Sequence, residues 1–238
     1  MKKLIAIIAI LALATTVFAT ESDPSATVGF VKYGCVITGG TDFNFVAIPM
    51  DAGYTMASDL GNAIGVCNAV AEWDPTGQGW GQQANYLNPP GIWLGDFALE
   101  SGHAYMINVT AAVDVYIAGD LPADPVFNLV TTTGTDFNFI MVPLSMSAFN
   151  MAGLLGDDIG VCNSVADWDP TGQGWGQQAN YLNPPGMWIG DFAIDIGQPL
   201  MVNVTANTTW PTADKAGNVK PVNVENNINQ LRIKAIRR

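Results

Sequence analysis

Few side chains in this sequence have the type and spacing for chemistry. There is one histidine, His103; three cysteines, Cys35, Cys67 and Cys162; and 21 acidic residues. A nucleophile needs a base within reach, and no serine, histidine and acid constellation assembles around His103. Neither Gly-x-Ser-x-Gly nor a phosphate loop occurs in the sequence. Cys67 and Cys162 lack a nearby histidine or paired cysteine, so zinc binding and thiol catalysis find no support. The odd cysteine count gives no even disulfide framework. The cysteines read as free thiols packed as small hydrophobes, with a Cys35–Cys67 bridge as the alternative. Paired carboxylates cleave glycosides, and Asp74 with Asp96 is the pair an extracellular hydrolase would use. Asp74 and Asp169 each offer one carboxylate to calcium, where a dedicated loop supplies two or three. Their competing role is to accept N–H bonds within a turn. No catalytic residue is assigned, a non-enzyme is expected, and calcium is the one cofactor considered.

Binding is the better-supported class. Trp73, Trp80, Tyr86 and Trp93 recur as Trp168, Trp175, Tyr181 and Trp188, interleaved with Gln82, Gln83, Asn85 and Asn88. Rings beside amides suit a sugar surface, because flat apolar faces and hydroxyl partners come together. The competing role for the same rings is packing in the core or across a hairpin.

The elements that must position these residues come in duplicate. Residues 64–91 read IGVCNAVAEWDPTGQGWGQQANYLNPPG, and residues 159–186 repeat 26 of those 28 positions. The register continues forward through Trp93-Leu-Gly-Asp-Phe97 and Asn108-Val-Thr, and backward through Thr41-Asp-Phe-Asn-Phe45, matched by Thr135-Asp-Phe-Asn-Phe139. A unit of about 95 residues exceeds solenoid repeats of 20–50 residues, so this is domain duplication. Aromatic and β-branched runs predict strands over 27–37, 43–49, 80–87 and 105–110, with another through Val70 and Trp73, and the same order in the second copy. Met56, Leu60 and Ile64 fall at i, i+4, i+8 and predict one short helix per copy. Asp74-Pro-Thr-Gly-Gln-Gly79 predicts a hairpin turn with Trp73 and Trp80 at its mouth. The first copy carries an added strand at Val113–Ala118. The Asn-x-Thr triplets at Asn108, Asn203 and Asn207 are read as strand-edge residues. The fold expected is mainly β, two tandem homologous β-sandwich or barrel-like modules, each with one short helix.

The order Asn44-Phe45, Pro49, short helix, Trp73-Asp74, Trp80, Asp96-Phe97, Gly102–Val109, with its second copy, resembles tandem modules of secreted surface proteins of bacteria and archaea. The resemblance covers most of residues 27–210 and implies a cell-surface or extracellular setting. It assigns no catalytic residue.

The ends differ from the body. Met1-Lys2-Lys3, the apolar run Leu4–Ala14 and Val17-Phe18-Ala19 predict a secretory signal peptide over 1–19. The run is too short for a membrane span of about 20 residues, and no later segment is long and apolar enough for one. Residues 20–214 hold 20 acids against Lys32 alone, about −19, whereas the last 24 residues hold six of the nine basic residues. Such a body repels phosphates, which excludes nucleic acid as a partner, and attracts basic segments. The organisation read is signal peptide 1–19, module 1 over 20–120, module 2 over 121–212, and a basic tail over 213–238. The expected product is secreted, at the cell surface or beyond, with the periplasm as the other compartment export allows. The function expected is structural, self-associating or adhesive, with the basic tail meeting acidic bodies. The alternative is a module that binds surface polysaccharide. The unchanged stretch from Trp73 to Gly91 is expected to be either a functional surface repeated twice or recently copied sequence.

Overall fold

The computed structural model describes residues 28–39, 42–132 and 136–212. The expected signal peptide and basic tail lie outside the described residues.

Two copies of one strand order are present. Module 1 comprises β1 (Val28–Cys35), β2 (Asp42–Ala47), α1 (Ala57–Ile64), β3 (Cys67–Asp74), β4 (Gly79–Leu87), β5 (Ile92–Leu94), β6 (Ala104–Val109) and β7 (Val113–Asp120). Module 2 comprises β8 (Phe127–Leu129), β9 (Asp136–Met141), α2 (Ala152–Ile159), β10 (Cys162–Asp169), β11 (Gly174–Leu182), β12 (Met187–Ile189), β13 (Pro199–Val204) and β14 (Thr208–Trp210). Each module has a five-stranded sheet, in the order β2-β6-β3-β4-β5 or β9-β13-β10-β11-β12, and a two-stranded ribbon, β1-β7 or β8-β14. All pairings are antiparallel. The sheets stay open at both edges, so the modules are sandwiches rather than barrels.

One expectation is corrected. The strand at Val113–Ala118 is no addition to the first copy, because β14 is its counterpart. β7 pairs eight residues of β1, whereas β14 pairs the three of β8. A ribbon extends only as far as its partner offers backbone groups. The indole of Trp210, fully buried, fills the second core where Val115 and Ile117 fill the first. That change of residue type hid the correspondence.

Each sheet has a core face and an outer face. Val46, Val70, Ala84, Ile107 and Val109 point to one side of the first sheet, where α1 and the β1-β7 ribbon close over them. The helix contributes Ala57, Leu60 and Ile64 and stops at Gly65, whose φ of +76° is the left-handed conformation glycine adopts freely at a helix end. Asn44 is 2% exposed and pins the ribbon to the sheet. Its side-chain amide accepts from Val36 N at 2.9 Å and donates to Val36 O at 3.0 Å, as a neighbouring strand would. Asn138 does the same with Val130, at 2.8 and 3.0 Å.

The opposite faces of the two sheets meet each other. Ala71 and Met106 alternate with the core residues of β3 and β6, yet both are buried, as are Ala166 and Met201 in the second module. Strands β2 and β6 lie against β13, and β3 and β6 lie against β9. The result is four layers, with ribbon and helix outside two stacked sheets. Asn108 and Asn203 sit in this stack at 5% and 2% exposure, on strands paired on both sides. They are therefore central rather than strand-edge residues, and their burial keeps a glycan off both triplets. No helix among the described residues is long and apolar enough to cross a membrane.

Candidate functional site

The eight repeated rings separate into two groups on opposite faces of the sheets. The first group builds the contact between modules. Trp73 and Trp80 are cross-strand partners at the hairpin mouth, 5.4 Å apart and edge to face; Trp168 and Trp175 match them at 5.8 Å. Each hairpin reaches the other module. The Trp73 indole N–H donates to Phe137 O at 2.7 Å, and the Trp168 indole N–H donates to Phe43 O at 2.8 Å. Between these, Phe45 stacks on Trp168 at 4.8 Å and meets Phe139 edge to face at 4.4 Å, while Trp175 stacks on Phe137 at 5.6 Å.

Glutamine completes the contact. β2 and β9 are edge strands, and at Phe43 and Phe137 their backbone groups face away from the sheet. Gln173 accepts from Phe43 N at 2.7 Å and donates to Phe43 O at 3.1 Å; Gln78 treats Phe137 identically, at 2.7 and 3.1 Å. One side-chain amide thus replaces a neighbouring strand and closes an edge that would otherwise invite pairing. Both glutamines sit at φ +50°, a conformation few non-glycine residues hold. Sequence reasoning passed over Gln78 and Gln173. The available signal was a glutamine kept in both copies between two glycines, where a turn needs positive φ.

The second group fastens each helix to the end of its sheet. Tyr86 pairs with Trp93, and Tyr181 with Trp188, with ring centroids 5.4 Å apart in each case. Trp93 Nε1 donates to Asn62 Oδ1 at 2.9 Å, and Trp188 Nε1 donates to Asp157 Oδ1 at 2.7 Å. Gly61 and Gly156 lie under these indoles, where a Cβ would collide with the ring. The eight rings therefore do not form one continuous face. Trp80 and Trp175 are the most open of the tryptophans, at 37% and 41%, and Trp175 borders a groove shared with Asp167, Trp168, Asp169 and Gln177.

The acidic candidates are engaged locally. Asp74 Oδ1 accepts from Thr76 N and Asp169 Oδ1 from Thr171 N, both at 2.9 Å, within their turns. Asp96 accepts from Ser58 N at 2.9 Å and Ser58 Oγ at 2.6 Å, and Asp191 accepts from Gly153 N at 2.8 Å, so both satisfy first-turn helix donors. His103 lies 3.2 Å from Glu100 and against the Phe127 ring. Among the described residues no group of three or more histidine, cysteine or acidic side chains is placed to hold a metal. All three cysteines are free and buried. Burial pushes the thiols of Cys35 and Cys162 up to about 12 and that of Cys67 up to about 11, far from the range of a reactive thiolate.

What stays uncovered in duplicate is the far end of each sheet. On β4 only Ala84 is buried. Beyond the hairpin, Leu87, Ile92 and Leu94 in one module and Leu182, Met187 and Ile189 in the other are 40 to 50% exposed. Leu87 opposes Ile92, and Leu182 opposes Met187. These side chains lie on the face turned away from Tyr86 and Trp93, the face that carries Ala71 and Met106 nearer the centre. Comparison with family models, with curated proteins and with solved structures finds no match for this chain.

Proposed function

We propose that this chain is a non-enzymatic, exported surface protein whose role is structural, through self-association. One observation carries the reading. Most of the duplicated tryptophans and the turn glutamines are used inside the molecule, whereas each sheet end leaves a set of three apolar side chains exposed beside uncharged amides. Isolated surface hydrophobes are ordinary; a contiguous apolar set repeated at two sheet ends suits association. The basic stretch 213–238 adds a salt-screened attraction to an acidic body. Sedimentation of the chain from residue 20 onward, over a wide concentration range and with or without calcium, tests the proposal. The expected result is a mass that rises with concentration; a monomer at every concentration rejects it.

A second reading is favoured by the groove beside Trp175, where two indoles, two carboxylates and an amide converge. That set suits a sugar ring, with the indole beneath it and the polar groups at its hydroxyls. A glycan array probed with the wild-type chain decides this reading, and no binding to any glycan ends it.

A further inference from the structure

The self-association reading leaves open which surface holds the copies together, and the inference here rests on that reading. We infer that the uncovered sheet ends, β4-β5 and β11-β12, are two near-identical docking sites for second copies of this chain, and that assembly through them is open-ended.

Three features support a second copy as the occupant. First, the surface is continuous with an interface this molecule already forms. Along one face of the first sheet, Met106 and Ala71 are covered by the other module; the cover stops at β4, where the exposed amides Gln83 and Asn85 follow on the same face, and Leu87, Leu94 and Ile92 complete it in solvent. Outer face on outer face is how the two modules pack, so another molecule can extend the same type of contact. Second, among the described residues β5 and β12 are the outermost strands of their sheets, with one side unpaired. Natural edges are commonly guarded by lysine or proline within the strand. The sequences Ile92-Trp-Leu94 and Met187-Trp-Ile189 carry neither, and only their length of three residues limits pairing. The edges at β2 and β9, by contrast, are closed by Gln173 and Gln78. Third, charge favours these ends. A body with 20 acids against one lysine repels its own kind. The sheet ends present no ionisable side chain on the exposed face, so two copies can meet there with the least repulsion.

Duplication sets the valency. One chain has two such ends, and because the ends are alike, either can meet either. Two sites per molecule give growing chains rather than closed pairs. Each site is small beside the roughly 1,200–2,000 Å² of a stable interface, so single contacts are weak and length depends on concentration. Salt separates this contact from one made by the basic tail. Screening reduces repulsion between acidic bodies and strengthens apolar docking, while it weakens attraction between tail and body.

The test uses the full exported chain at about 0.5 M salt, where the Debye length is only a few ångström, followed by light scattering over a concentration series. Three variants are compared with wild type: L87D/L94D, L182D/I189D, and all four changes together. The substituted positions are exposed, and circular dichroism verifies that each variant is folded. Wild type is expected to grow without a fixed ceiling. Either paired variant should stop at the dimer, because one end remains, and the fourfold variant should stay monomeric. Growth of a paired variant beyond the dimer, or association of the fourfold variant equal to wild type, overturns the assignment and leaves self-association standing. So does association at low salt that vanishes at high salt, which would give the contact to residues 213–238. A wild-type monomer under all conditions rejects the parent reading as well.

Discussion

Strand β4 is fixed at one end and free at the other, and β11 repeats the contrast. At the hairpin end, Trp73 and Gln78 meet a partner module that is part of the same chain. At the other end, Leu87 faces solvent together with Ile92 and Leu94 of the neighbouring strand. The segment linking the ends is nearly letter-perfect between copies, while the helices have drifted. The two ends account for that identity differently. The hairpin must fit the opposite module, and because the fit is reciprocal, a change in one copy is felt by the edge strand of the other. The outer end, with Leu87, Ile92 and Leu94, has no such partner among the described residues. Its apolar character, repeated in both copies, is what the proposed docking of another copy would use.

Substitutions of four kinds test whether the two ends really differ. The largest expected effect is at Trp168, which stacks on Phe45 and donates to Phe43 O. Trp168→Ala should destabilise by about 3 kcal/mol, toward the low end for large aromatic truncations because the ring is only half buried; the urea midpoint reports it. Next is Asn138→Ala, which strands the Val130 N–H and C=O that one amide satisfies. It should cost about 2 kcal/mol, and Asn44→Ala should match it if the modules are equivalent. Third comes Gln173. Its loss to alanine removes both bonds to Phe43 and should cost about 1–2 kcal/mol. Gln173→Gly should recover about 1 kcal/mol of that, because glycine tolerates φ +50°. Equal losses for Ala and Gly would show that backbone conformation plays no part. The smallest effect is expected for Leu87→Ser with Leu182→Ser, within about 0.5 kcal/mol in dilute solution. A larger loss would mean that the outer ends stabilise the monomer itself, and the contrast between the two ends would fail.

Much of the architecture was legible in the residues. Aromatic and β-branched runs placed the strands, Leu60 and Ile64 placed the helix face, and Asp74-Pro-Thr-Gly-Gln-Gly placed the hairpin with its tryptophans opposed. These features rest on spacing within a few residues, which the chain states directly. The candidate site was far less legible. Trp73 and Trp168 were read as hairpin staples or sugar platforms, and they are hairpin partners that also bind a carbonyl 64 or 125 residues away. Trp93 and Trp188 look similar in sequence but turn to the helix, because residues on paired strands alternate faces. Asn108 reads as a strand-edge residue because its partners on β2 and β3, Phe43 and Ala69, lie far earlier in the chain, beyond the reach of local spacing.

The sequence by itself determined the duplication, the mainly β class, the acidic body and the local turn chemistry, because composition and short-range periodicity suffice for these. Tertiary structure alone decided that the repeated hairpins serve each other, and that the repeated sheet ends are what each copy leaves open. The physical reason is range. A glutamine amide or an indole N–H acquires its role from whichever carbonyl lies about 3 Å away, and here that carbonyl belongs to the other copy of the module.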